Sequence, residues 1–210
     1  MKKDRKSLLA FTQLSLLLAI EIIVCFTPLG TLPAIGPLSA TLSHIPVIIT
    51  AVLLGWKAGA FMGLAFGTCS FIYWSFVAPG VFSFIYTPLF SGGVFKGNVF
   101  SIVICFLPRI LIGPVTVAIR DLLLRFKLNE GASTFIGGVA GSLTNTLLVL
   151  SGIYVFFGNQ YLSATGNIGN ALITILGLTV LTNGLPEALL GGLSACFIAR
   201  PVKKAIAKLK

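Results

Sequence analysis

Acidic residues are scarce in this sequence. Five Asp and Glu stand against 15 Lys and Arg, and charged residues of both signs make up only 10%. An average soluble domain carries roughly 25%. The shortage bears on chemistry. An intramembrane enzyme would need a nucleophile with a base, paired carboxylates or a metal cluster. Glu21 and Glu187 are the only carboxylates at membrane depth, and His44 is the only histidine. The four cysteines (Cys25, Cys69, Cys105 and Cys196) form no CxxC pair and lie within or at the edges of apolar runs. They read as small buried residues rather than metal ligands or a disulfide. Walker, HExxH and GxSxG motifs are missing, so nothing here hydrolyses a nucleotide by itself. No cofactor and no metal are expected, and the chain is not read as an enzyme. No internal repeat is visible, which argues weakly against a transporter built from inverted halves.

Apolar residues are abundant instead: 56% hydrophobic, with a mean hydropathy of +1.02. Helices solvated by lipid need apolar surfaces on the outside as well as the inside. Residues 1–210 are therefore expected to form a single transmembrane domain. The N-terminal MKKDRK with its apolar continuation superficially resembles a signal peptide. Its apolar run of ~19 residues exceeds the 7–15 of such peptides, so it reads as a retained first helix.

A bilayer core of about 30 Å needs roughly 20 helical residues. The apolar runs predict an all-α membrane protein of six spans, at Ser7–Phe26, Ala40–Leu54, Ala58–Val77, Asn98–Leu124, Ser133–Phe157 and Ile168–Ala199. Pro46 is expected to bend the second, and Gly184-Leu185-Pro186 to kink or break the last. Gly55-Trp56-Lys57 reads as a tight turn. Longer loops are expected at Thr27–Ser39, Ala78–Gly97 and Gly158–Asn167. The basic residues have no aromatic interleaving and cluster at the ends of apolar runs, so they read as topogenic charge rather than a nucleic-acid surface. With the N-terminus inside, the termini, Lys57, Arg120, Arg125 and Lys127 are cytoplasmic, and Lys96 alone is outside. An even number of spans puts both basic termini on one side, as the positive-inside rule requires.

Glu21, Arg109 and Glu187 are ionisable residues at membrane depth. A charge there costs on the order of 2.5–3.5 kcal/mol even on the lenient insertion scale. Arg109 and Glu187 form either an ion pair between the fourth and sixth spans or part of a ligand site. Arg109 would then take an anionic group through its planar fork. Glu21 reads as structural or as a rim residue. Asn145 and Asn183 lie mid-helix, where an amide must face protein or a cavity. Arg109, Asn145, Asn183 and Glu187 are thus candidates to line one cavity for a small molecule with a carboxylate, hydroxyls and an amide. Trp74 and Tyr86 belong to an aromatic cluster near the outer face, either an interfacial belt or a pocket cap. His44 has two readings, a polar loop-to-helix position or a ligand contact. Gly59, Gly63 and Gly67 recur every four residues, and Ser15 with Ala19 and Gly137 with Gly141 form weaker stripes. Such stripes pack helices closely, within the chain or against a partner membrane protein.

Three stretches read together: HIPVIITAVLLGWKAGAFMGLAFG at 44–67, LPRILIGPVTVAIRDLL at 107–123 and GSLTNTLLVLSGIYVFFG at 141–158. They resemble the S component of an energy-coupling-factor (ECF) transporter, the membrane subunit that captures a vitamin, over nearly the whole chain. Among the vitamin types the chain looks most like the pantothenate-specific members. Riboflavin, pyridoxine-type and folate members share the scaffold, and a non-binding scaffold subunit is the other alternative. The resemblance implies an S-component-like bundle in a cell membrane, a bacterial plasma membrane, with Arg109 and Asn145 as carboxylate and polar-group contacts. It further implies a transmembrane coupling protein and two cytoplasmic ATPases as partners, and toppling of the subunit to release the vitamin. Ser15–Ala19 sits near the family's small-residue contact motif. That motif often has two alanines, and here Ser stands first.

Overall fold

The computed structural model describes residues 2–30, 41–166 and 172–208. Helix α1 spans Lys2–Phe26, α2 His44–Leu54, α3 Trp56–Ile72, α4 Val99–Arg125 and α5 Glu130–Thr165. Helices α6 (Leu172–Thr179), α7 (Leu185–Ser194) and α8 (Arg200–Lys208) run on from one another through wide turns at Val180–Gly184 and Ala195–Ala199. Among the described residues five helical stretches are long and apolar enough to cross a membrane, and α2 is a shorter apolar helix.

Local chemistry explains the breaks. Gly55, at φ 93°, separates α2 from α3 in a conformation that costs glycine nothing. Asn98 starts α4: its side chain accepts from the Phe100 amide at 2.8 Å, while Ser101 Oγ accepts from the Asn98 amide at 3.0 Å. Asn129 caps α5 by accepting from the Ala132 amide at 2.7 Å. Between α3 and α4 the chain makes a tight helical turn at Val81–Ile85 and a two-stranded hairpin, β1 (Ser91–Gly92) with β2 (Phe95–Lys96).

Several boundaries differ from expectation. The second helix begins at His44 rather than Ala40, which lies outside the described residues, as do residues 31–39 of the first expected loop, Asn167 and Ile168. At 11 residues α2 is about 16 Å long, too short for a bilayer core. The Leu42 amide bonds the Gly30 carbonyl at 2.8 Å. α2 therefore starts beside the end of α1. The loop expected at Gly158–Asn167 is helical through Thr165. Only Phe157, at φ −133° and ψ 16°, breaks the path where the apolar run was expected to end. Gly184-Leu185-Pro186 does not break the last helix. The Leu185 amide instead reaches back to the Val180 carbonyl, a π-type turn that absorbs the proline.

The glycine stripe is used inside the chain. A Cβ at Gly59 would meet Gly113 Cα at 2.9 Å and Ala51 Cβ at 2.7 Å, one at Gly63 would fall on the Arg109 carbonyl, and one at Gly67 would meet the Phe106 ring at 2.8 Å. All three are buried against α4 and α2, which occupy that face, so Gly59, Gly63 and Gly67 serve close helix packing within the chain, one of the two roles expected of the stripe. Ser15 and Ala19 lie on the exposed side of α1. Gly137 and Gly141 repeat the device between α5 and α4.

Candidate functional site

The bundle encloses a cavity of about 520 Å³ between the upper halves of α1, α3, α4, α5 and the α6–α7 junction. That volume lies within the range of small-molecule sites, roughly 300–1,000 Å³. Thr41 and Ser43, just before α2, also line it.

Arg109 is positioned by a proline. Pro108 has no N–H, so the Ile104 carbonyl loses its helical donor. Arg109 Nη1 supplies one instead, at 2.7 Å. The guanidinium then lies over the rings of Tyr86, at 4.9 Å, and Phe66, at 5.4 Å. Trp74 stacks on Tyr86 with centroids 5.4 Å apart. Burial pushes the Tyr86 phenol up, and the Arg109 charge pulls it the other way. Arg109 is only 5% exposed, and its Nε has no hydrogen-bond partner among the described residues.

Glu187 is held differently from expectation. Among the described residues it forms no ion pair with Arg109. Its carboxylate accepts from the Thr41 amide at 2.5 Å and from Thr146 Oγ1 at 3.3 Å. It thereby ties the entry to α2 to α5 and α7. The half-buried Thr41 amide would lose its acceptor without it, and a hydrogen bond to a charged group contributes about 1.5–3 kcal/mol. Glu187→Leu is therefore expected to lower the thermal unfolding temperature in detergent. Glu187→Gln, which keeps an acceptor oxygen, should fall much closer to the wild type.

The cavity brings together Trp74, Tyr86, Arg109, Asn145, Asn183 and Glu187. His44 is not among the lining residues: it is 1% exposed, and its Nε2 lies 3.1 Å from the Glu187 backbone carbonyl. Asn145 Oδ1 is buried with no partner among the described residues. Glu21 is fully buried lower on α1, accepting from Cys25 Sγ at 3.2 Å. Sequence reasoning missed Thr41, Ser43, Ser70, Thr146 and Thr179 as lining residues. Hydroxyls are ordinary in membrane helices, where they bond the preceding turn, as Thr179 Oγ1 does to the Ile175 carbonyl. No pattern separates the few that face a cavity.

The arrangement offers a cationic donor at Arg109, acceptors at Asn145 and Glu187, and apolar walls at Phe66, Phe82, Val149 and Leu150. It suits a small anionic molecule with donors along its length.

The family model of the substrate-specific component of ECF transporters matches residues 10–199. The chain is 33% identical over 207 residues, 98% of each protein, to the pantothenic acid transporter PanT of Lactococcus lactis subsp. cremoris (strain MG1363).

Proposed function

The chain belongs to the substrate-specific components of ECF transporters, and from that premise we propose that it captures pantothenate and delivers it into the cell. It is a multi-pass membrane protein of the cell membrane and a transporter subunit without a catalytic role. Family membership implies a substrate and an ECF module in general. The specific vitamin, and the assembly with one coupling protein and two ATPases, are our reading.

One observation carries the substrate. Arg109 Nε and Asn145 Oδ1, a donor and an acceptor, are buried at the same cavity without partners among the described residues. Buried polar groups are ordinarily satisfied. Pantothenate offers a carboxylate to the donor, and hydroxyls and an amide N–H to the acceptor. The similarity to a pantothenic acid transporter agrees. Isothermal titration of the purified, ligand-free protein tests this, with riboflavin, pyridoxine and folate as controls. Saturable heat with pantothenate alone is expected. Binding of another vitamin instead, or of none by folded protein, would overturn the assignment.

We place both termini and the Gly55 turn in the cytoplasm. The end of the bundle away from the cavity carries Lys57, Arg120, Arg125, Lys127, Arg200, Lys203 and Lys204, which the positive-inside rule assigns to the cytoplasm. The hairpin with Lys96 then faces outward. In a cysteine-free background, Lys96→Cys is expected to react with a membrane-impermeant maleimide on intact cells. Lys57→Cys should react only after permeabilisation.

A further inference from the structure

A second, smaller cleft opens at the end of the bundle opposite the cavity. It measures about 70 Å³ and is lined by Val52, Arg120, Glu130, Thr134, Arg200 and Lys203, from α2, α4, α5 and α8. Its charges do not balance. Arg120 gives Nε and Nη2 to its own neighbour Asp121, at 2.9 and 2.7 Å. Glu130 is shared by Arg200, at 3.5 Å, and Lys204, at 3.1 Å. Both carboxylates are thereby used. Lys203 pairs with no carboxylate among the described residues, and Arg200 reaches Glu130 only through Nε, a buried atom that makes no hydrogen bond at that distance. Arg120, Arg200 and Lys203 line the cleft against the single carboxylate of Glu130, which leaves it cationic, and its size suits a single phosphate-sized group.

The surroundings are apolar rather than aqueous. Leu124 lines the cleft, Phe126 at the end of α4 is 72% exposed, and Val202 on α8 is 41% exposed. Helix α8 sets Val202 and Ile206, four residues apart, against Lys203 and Lys204. A short basic amphipathic helix of this kind lies in the interface of a bilayer. A free anion in water would gain nothing from exposed Phe126 and Val202. A phospholipid would place its acyl chains against them and its headgroup between the cations.

We propose that this cleft is a binding site for the phosphodiester headgroup of an anionic phospholipid. The assignment needs only that the chain spans a bilayer, and it is independent of which vitamin the cavity takes.

The test uses the full chain, exchanged from detergent into mixed micelles of phosphatidylglycerol or phosphatidylcholine and examined by native mass spectrometry. Phosphatidylglycerol is expected to be retained as a discrete adduct and phosphatidylcholine is not. Millimolar inorganic phosphate should fail to displace it. Lys203→Gln and Arg200→Gln should each lower retention about fivefold, as expected for one surface cation. Lys203 is exposed, so Lys203→Gln reports on the site even where Arg200→Gln misfolds. Its pantothenate titration and unfolding temperature should stay at wild-type values. Equal retention of the two lipids, unchanged retention in Lys203→Gln, or displacement by inorganic phosphate would each overturn the proposal. The last would mark a general anion site, and an acidic protein segment competing in its place would mark a partner-docking cleft.

Discussion

Arg109→Ala is expected to weaken pantothenate binding by about 30-fold to several thousand-fold, which corresponds to the 2–5 kcal/mol typical of removing one partner of a buried, hydrogen-bonded charge pair. The size follows from where the guanidinium sits. It is 5% exposed, lies over two aromatic rings, and has a free Nε. A carboxylate meeting it exchanges its water for a rigid fork with little left to reorganise. The same substitution exposes a second role. Arg109 Nη1 bonds the Ile104 carbonyl that Pro108 leaves without a donor, so Arg109→Ala should also destabilise the fold, by about 1–3 kcal/mol. The two effects separate with Arg109→Lys. An ammonium keeps the charge, but as a compact group it cannot hold the Ile104 carbonyl and present a planar fork together. Its affinity should fall between Ala and wild type. Titration and thermal unfolding of the same samples check this. A folded, monodisperse Arg109→Ala protein with wild-type affinity would remove the arginine from the site.

The legibility of this protein divides along physical lines. Apolar runs marked the spans because lipid demands apolar surface all round. The same uniformity hid the helix ends. Residues 158–165 look polar in sequence, yet they extend α5 because Tyr161 is fully buried in the upper core and Phe157 bends the path toward it. Arg109, Asn145, Asn183 and Glu187 stood out because such groups are costly in hydrocarbon, and one cavity gathers them. How they pair was not legible. Arg109 and Glu187 have opposite charges at similar depth, which suggested an ion pair. In the fold Glu187 is claimed by the Thr41 amide and Thr146, and Arg109 by a backbone carbonyl. Both of those backbone partners owe their availability to local chain geometry. Spacing along the sequence carries no record of it. His44 shows the same limit: its ring meets the carbonyl of Glu187 from beside the cavity.

Gly63→Ala is expected to have the second largest effect, and it joins packing to function. The added Cβ falls on the Arg109 carbonyl, with the Ile110 Cα at 2.9 Å. Both obstacles are backbone of α4, so neither can swing aside as a side chain would. α3 and α4 must separate, at a cost of about 1–3 kcal/mol for overpacking. The separation occurs at the residue that carries the guanidinium, so affinity for pantothenate should fall together with the unfolding temperature. The neighbouring glycines supply graded controls. Gly59→Ala meets Gly113 Cα at 2.9 Å and should destabilise comparably, but at a level more than a helical turn below the cavity, leaving affinity less affected. Gly67→Ala meets the ring of Phe106, a half-buried side chain rather than backbone, and should be the mildest of the three. Unfolding temperature and titration on all three variants give the order Gly63, Gly59, Gly67 for stability, with Gly63 standing apart in affinity. If Gly63→Ala instead kept wild-type stability and affinity while failing to assemble with the ECF module, the stripe would be a partner surface. The close α3–α4 approach would then have to open when the module docks.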